Sequence, residues 1–104
     1  MPTPFACDLT AIPAAERGVH QQVTRHLTSS AAAIRESGEG FVLEVPVDEH
    51  ETVTTFVSRE RLCCPFLEFV VVGVPERRIV ELHIKGPTGA KEFIRAELWR
   101  DRSD

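Results

Sequence analysis

The sequence predicts an α+β fold, a two-layer sandwich in which helices cover one face of a mixed sheet. Apolar residues recur every three or four positions in three segments, and they alternate with polar residues in four shorter ones. The predicted order is β-α-β-α-β-β-α. Two early crossovers permit parallel neighbours and the last two strands form an antiparallel hairpin, which indicates the mixed sheet. A chain of 104 residues makes one domain, 1–104, with a polar tail that frays from about 101 to 104.

The first two elements are a short strand and a long helix. Residues 5–9 alternate as a strand that turns Cys7 inward with its apolar neighbours. Pro13 suits the first turn of a helix. Apolar residues then predict that this helix extends from about 13 to 35: Val19, Val23, Leu27, Ala31 and Ile34. His20 and His26 are six positions apart and do not share a helix face, so both are expected to be exposed or to cap.

The remaining elements follow from the same two periods. A strand at 41–45 precedes a helix from about 49 to 62, whose apolar face ends at Cys63 and Cys64. Pro65 disfavours helical geometry at the residue before it, so the helix should end at the cysteines. Strands at 66–72 and 79–85 form a hairpin, and pairing Val72 with Ile79 would set Glu68 opposite His83. A last helix is predicted from about 89 to 99.

Composition excludes several classes of function. Sixteen acidic and twelve basic residues give a net charge of −4, without the basic stripe that nucleic-acid binding requires. No apolar stretch approaches the roughly 20 residues that span a bilayer. The first residues do not resemble a secretory signal, so the expected location is cytoplasmic. Residues 86–91 lack the full phosphate-loop spacing, and no organic cofactor is expected. The oligomeric state is not predicted.

The adjacent cysteines are the stretch that suggests chemistry. Thiolates are soft donors that favour Cu(I), Zn(II), Hg(II) or arsenite, and the bend at Pro65 would help two neighbouring sulfurs converge. Cys63 and Cys64 are therefore the principal candidate metal ligands, with Cys7 as a third. A fourth ligand for zinc could be Glu60 or His83. Three cysteines in a reducing compartment argue against a disulfide framework, so free thiols are expected.

Two alternatives to metal binding remain open. A thiol-dependent enzyme could use Glu60 or Asp8 as proton donor, to cleave a carbon–metal bond or to exchange disulfides. However, a helix C-terminus disfavours a thiolate, and this weighs more against an unaided nucleophile than against a metal ligand. The other alternative is an interaction domain whose cysteines simply fill the core.

Three motifs also resemble a family of small uncharacterised bacterial proteins. They are Phe5-Ala6-Cys7-Asp8-Leu9, Glu60-Arg61-Leu62-Cys63-Cys64-Pro65-Phe66 and Gly86-Pro87-Thr88-Gly89-Ala90-Lys91-Glu92-Phe93. Proteins similar to these occur beside mercury- or arsenic-resistance genes. The resemblance implies thiol-based handling of a metal or metalloid by Cys7, Cys63 and Cys64. The Cys-x-x-Cys pattern of small metallochaperones is absent from this chain.

Overall fold

A four-stranded antiparallel sheet forms one layer of the fold in a computed structural model that describes residues 8–98. The strands are β1 (Ala33–Ser37), β2 (Gly40–Pro46), β3 (Glu68–Val74) and β4 (Ile79–Lys85). Their order across the sheet is β1-β2-β4-β3, and every neighbouring pair is antiparallel. The predicted mixed sheet is therefore wrong. The reason is that β2 pairs with β1, a strand the sequence analysis did not predict, and with β4, so the crossover that leads from β2 to β3 does not place those two strands side by side.

Three α-helices within residues 8–98 form the second layer and confirm the predicted α+β sandwich. They are α1 (Ala14–Ser30), α2 (His50–Cys63) and α3 (Ala90–Leu98). Alternate residues of the two central strands face these helices, while α1 packs against α2. The core between the layers comprises Ile12, Leu27, Ala31, Phe41, Leu43, Val45, Val53, Phe56, Cys63, Cys64, Leu67, Val80, Leu82, Ile84, Ala90 and Ile94.

The N-terminal third departs most from the sequence prediction. The helix expected to reach residue 35 ends at Ser30, because Ala31 takes an extended conformation while its N–H still bonds to the Leu27 carbonyl. The residues that follow form β1, so 33–37 is a strand that the helical spacing concealed. Of the strand predicted at 5–9, residues 5–7 lie outside the described range, and Leu9–Ala11 form a short 3-10 helix.

The hairpin between β3 and β4 forms with its register shifted by two residues. Val74, not Val72, lies opposite Ile79, since the chain turns through a single 3-10 turn at Pro75–Arg77. The predicted pairing of Glu68 with His83 is therefore wrong, and Glu68 forms an ion pair with Lys85 at 3.1 Å. A shift of two keeps each side chain on its expected face.

The two edges of the sheet differ in character. β1 presents Arg35, Glu36 and Ser37 near its end, whereas β3 exposes the consecutive valines 70–72. The predicted tail at 101–104 lies outside the described residues. None of the helices within 8–98 combines the length and apolar character needed to cross a bilayer.

Candidate metal site at the end of helix α2

The vicinal cysteines lie where the sequence places them, at the end of a helix. Cys63 is the last residue of α2, and Cys64 leaves the helical region at φ −125° and ψ 69°, as expected for a residue before proline. The Cys64 N–H still donates to the Glu60 carbonyl at 2.8 Å. The backbone N–H of Asp8 donates to the Cys63 carbonyl at 2.7 Å, so the beginning of the described chain passes directly over this helix end.

Glu60 approaches both sulfurs from the preceding turn of α2. The Cys63 thiol donates to Oε1 of Glu60 at 3.0 Å, and Sγ of Cys64 lies 3.7 Å from the same oxygen. Glu60 precedes the two cysteines by three and four positions, which places all three side chains on one face of the helix. The side chain is almost fully buried, at 5% exposed, which is rare for a carboxylate unless partners compensate its lost hydration.

The second partner of Glu60 is His20 of α1, which sequence reasoning missed. Nε2 of His20 lies 3.3 Å from Oε1 of Glu60, and the ring stacks on Phe56 with centroids 5.8 Å apart. The expectation that His20 is exposed is wrong, because only 3% of its surface is accessible. His26 is exposed as expected, where it contacts Glu49.

These three side chains form a buried group of mixed donors. One nitrogen, one carboxylate oxygen and one sulfur, from His20, Glu60 and Cys63, all lie within 4.8 Å of one another. Imidazole, carboxylate and thiolate are the ligands that zinc uses, and three protein ligands suffice to hold the ion in an open site. The group can therefore hold a metal ion.

The electrostatics of the group keep its thiol protonated in the absence of an ion. Burial raises the pKa of the Cys63 thiol far above its ordinary value of 9.0, and the hydrogen bond to the nearby Glu60 carboxylate raises it further. The negative end of the α2 dipole acts in the same direction. Cys63 is therefore a poor nucleophile at neutral pH, whereas a metal ion that binds the sulfur can displace its proton.

The two adjacent sulfurs differ in redox state. Cys63 is a free thiol, whereas Cys64 is disulfide-bonded. Their Sγ atoms are 3.7 Å apart. The expectation of free thiols thus holds for Cys63 and is wrong for Cys64. Cys7, the predicted third ligand, lies outside the described residues.

Two further candidates lie away from the group. The carboxylate of Asp8 is exposed and accepts hydrogen bonds from Thr10, which hold its pKa below the usual range. His83 belongs to β4, where its neighbours Leu82 and Ile84 face the core, so it points to the opposite side of the sheet and contacts Glu81. The described structure thus brings together Glu60 and the two cysteines, adds His20 and leaves His83 apart. Asp8 is held at the helix end by its backbone N–H, and its carboxylate is not one of the grouped donors.

The function of this chain has to be inferred from the residues described above, because comparison with known proteins identifies no relative. No family model, curated protein or solved structure matches the chain.

Proposed function

We propose that this protein binds a thiophilic metal ion through Cys63, with His20 and Glu60 as the accompanying ligands. The convergence of three donor atoms within 4.8 Å carries the proposal, since His20 lies on a different helix from the other two. Random packing seldom places an imidazole, a carboxylate and a thiol together in a core, because each loses hydration there.

The donor set restricts the kinds of ion. Nitrogen, oxygen and sulfur donors together suit a borderline ion such as Zn(II), whereas Hg(II), Cu(I) and arsenite prefer several sulfurs. The site becomes better suited to Hg(II), Cu(I) and arsenite once Cys64 is reduced and offers a second thiolate beside Cys63. The resemblance to proteins encoded near mercury- and arsenic-resistance genes supports testing Hg(II) and arsenite as well as Zn(II).

Binding would exchange protons for the ion. The Cys63 proton, now shared with Glu60, leaves as the sulfur takes the metal. If Nε2 carries the His20 proton toward Glu60, an ion at Nε2 displaces that proton too. Within the described residues Nδ1 of His20 is buried without a hydrogen-bond partner, so a proton moved to Nδ1 gains no contact among them.

A titration of the reduced protein tests the proposal. Zn(II), Hg(II), Cu(I) and arsenite are added anaerobically, and thiolate-to-metal absorption and remaining free thiols are followed. Saturation near one equivalent is expected for at least one ion. Cys63→Ser, His20→Ala and Glu60→Gln should each weaken binding by more than about 10-fold, by comparison with the loss caused by removing outer-shell partners of a metal.

Matched controls come from the same two helices. His26→Ala on α1 and Glu51→Gln on α2 alter exposed residues outside the group and should leave affinity unchanged. A Cys63→Ser variant that binds as tightly as the parent contradicts the proposal. If no ion saturates and the thiols react only after unfolding, the cysteines serve packing, as in an interaction domain.

Thiol–disulfide exchange is the second candidate function. The observation that favours it is the free thiol of Cys63 at 3.7 Å from a disulfide-bonded sulfur. The raised pKa of Cys63 works against it, because the thiolate is the attacking species. Turnover of a small disulfide by the parent, and its loss in Cys63→Ser, would favour exchange over binding.

A further inference from the structure

Strand β3 presents a row of backbone groups at the edge of the sheet. It is the last strand in the order β1-β2-β4-β3, so within residues 8–98 no strand lies on its outer side. Alternate N–H and C=O groups of such a strand point away from the sheet, where they can bond to a further strand. Val70, Val71 and Val72 are each at least 36% exposed. Because neighbouring residues of a strand face opposite sides, the middle of this edge is apolar on both faces of the sheet.

The devices that commonly protect an edge strand are missing from most of β3. These devices are charged side chains, a proline or a bulge. The one charged residue of β3 is Glu68 at its start, and Pro75 comes only after its last residue. The pairing with β4 continues without a bulge from Glu68 to Val74. Residues 69–74 are therefore open to pairing with another strand.

The sequence of β3 fits a second copy of itself in one antiparallel register. The strand extends over Glu68–Val74, so a two-fold axis at its central residue, Val71, pairs two such strands along their full length. Val70 then lies opposite the partner's Val72, and pairs of β-branched side chains suit these positions. Each Glu68 lies opposite the partner's Val74, so the two carboxylates are at opposite ends of the interface and do not repel each other.

The same register sets a large side chain beside an empty position. Phe69 and Gly73 lie on the face of β3 that is turned toward the helices. The Phe69 ring packs edge-on against Phe56, whereas a Cβ atom on Gly73 would have no atom within 4 Å. The axis at Val71 puts each Phe69 opposite the partner's Gly73. An aromatic side chain across from an edge glycine covers its exposed backbone and helps to fix the register.

The other edge of the sheet does not fit a second copy in this way. A two-fold axis at the centre of β1 would set Arg35 against the partner's Arg35 and Ile34 against the partner's Glu36. Like charges directly opposite each other destabilise a strand pair. Arg35 and Glu36 also form ion pairs with Glu44 and Arg95 of the same chain. Charge thus protects β1 against self-association but does not protect β3.

We propose that two copies of this chain associate through β3, antiparallel about Val71, and so join their four-stranded sheets into one continuous sheet. A two-fold axis perpendicular to the sheet keeps the helices of both copies on the same face. All three residues of the candidate metal group, His20, Glu60 and Cys63, belong to one chain. The association is therefore independent of the proposed metal-binding function.

Sedimentation of the parent protein over a range of concentrations tests the inference. The average mass should rise with concentration from 11.6 kDa toward twice that value. Non-reducing denaturing electrophoresis of the same samples should show single chains. A band of doubled mass would indicate a disulfide between chains and would overturn the pairing of strands. A parent that remains monomeric up to about 1 mM also overturns the proposal.

Paired substitutions test the register. Val70→Lys/Val72→Lys sets lysine against lysine at two positions and should weaken dimerisation more than about 10-fold. Val70→Lys/Val72→Glu sets lysine against glutamate when the axis lies at Val71, so it should dimerise more tightly than the first variant. Val19→Lys/Val47→Lys makes the same change of charge at two exposed valines outside β3 and should dimerise as the parent does. Far-ultraviolet circular dichroism checks that each variant is folded.

Each result supports or overturns the proposal. Dimerisation that survives Val70→Lys/Val72→Lys, or that is lost in Val19→Lys/Val47→Lys, overturns the proposed surface. Equal weakening by Val70→Lys/Val72→Lys and Val70→Lys/Val72→Glu overturns the register. Should the β3 variants fail to fold, hydrogen exchange of the parent at low and high concentration provides the check. Alternate amides of residues 68–74 should exchange more slowly at high concentration while those of β1 do not change, and any other pattern contradicts pairing through β3.

Discussion

Nε2 of His20 and Oε1 of Glu60 lie 3.3 Å apart across the contact between α1 and α2, although the residues are separated by 40 positions. Both side chains are buried in a core that is otherwise apolar. A polar pair in such a place is stable only while both members keep their partners, because removal of one leaves the other unsatisfied. The pair therefore links the stability of the fold to the composition of the candidate site.

Replacing His20 should affect both stability and metal response. His20→Ala removes a partner of the buried Glu60 and the ring that stacks on Phe56, so the free energy of unfolding should fall by about 1–3 kcal/mol. Zinc at 100 times its dissociation constant should stabilise the reduced parent by about 2.7 kcal/mol, and the variant by much less. Urea unfolding with and without zinc measures both effects. His26→Ala is the control, and an equal response to zinc in His20→Ala would exclude the histidine as a ligand.

Alkaline conditions should destabilise the folded protein through Cys63. Its pKa is raised in the folded state, mainly by burial, from an ordinary value of 9.0 that applies in the unfolded chain. Above pH 9 the unfolded chain therefore binds fewer protons than the folded one, and the stability present below that pH is lost as pH rises. The slope attributable to Cys63 approaches about 1.4 kcal/mol per pH unit. Urea unfolding of the unreduced parent and of Cys63→Ala between pH 8 and pH 10.5, as test conditions, should show this slope in the parent alone.

Neutralising Glu60 should make the Cys63 thiol easier to ionise. Its carboxylate raises the pKa of Cys63 by accepting the thiol proton and by direct charge repulsion, after the larger effect of burial. Glu60→Gln should therefore lower that pKa, while burial keeps it above the ordinary value. Thiolate ultraviolet absorption, titrated with pH and assigned with Cys63→Ala, gives the midpoint. Glu51→Gln should leave the midpoint in place, and an unchanged midpoint in Glu60→Gln would contradict the described hydrogen bond.

Gly40 at the start of β2 should not tolerate a side chain. A Cβ atom there would lie 1.8 Å from the Ile84 carbonyl oxygen and 2.7 Å from the Cα atom of Lys85, both backbone atoms of β4. Gly40→Ala should thus lower the free energy of unfolding by about 3 kcal/mol or more. Gly73→Ala in β3 is the matched control, since no atom lies within 4 Å of its added Cβ. Thermal or urea unfolding decides, and similar stabilities for the two variants would contradict the close approach of β2 and β4.

Sequence patterns predicted the two-layer α+β fold and the end of α2 because each rests on local chemistry. The helix period brings Glu60 to the same face as the cysteines, and Pro65 ends the helix there. Strand β1 is not predicted because Ala31 and Ile34 continue the helical spacing of α1. The signal for a hairpin is Gly38, which has a φ of +56° in the turn after β1. The register of β3 against β4 is not predicted for another reason. A shift of two residues keeps every side chain on the same face of the sheet, so the apolar pattern does not distinguish the two registers.

The sequence analysis does not predict that His20 belongs to the site, because it considers His20 only as a possible metal-binding pair with His26. Val19 belongs to the apolar spacing that predicts α1 but is 50% exposed, whereas His20, three and seven positions before Val23 and Leu27, is 3% exposed. The spacing of His20 with Val23 and Leu27 indicates that His20 lies on the apolar face of α1. The sequence does not indicate its partner, because the partner lies on another helix. Glu60 lies on α2, so its contact with His20 is a tertiary contact that depends on how the two helices pack.

The burial of the site has a kinetic consequence. Cys63 is 1% exposed, and Glu60 and His20 are scarcely more so, so an ion from solvent cannot reach them while α1 and α2 remain packed. Under the proposed function, uptake would therefore require a local opening of the two helices, whose frequency is a property of the protein and not of the ion. At high ion concentration the association rate should level off at this opening rate, with the same plateau for different ions. Release would depend on the same motion, so a captured ion would stay bound far longer than its affinity alone suggests.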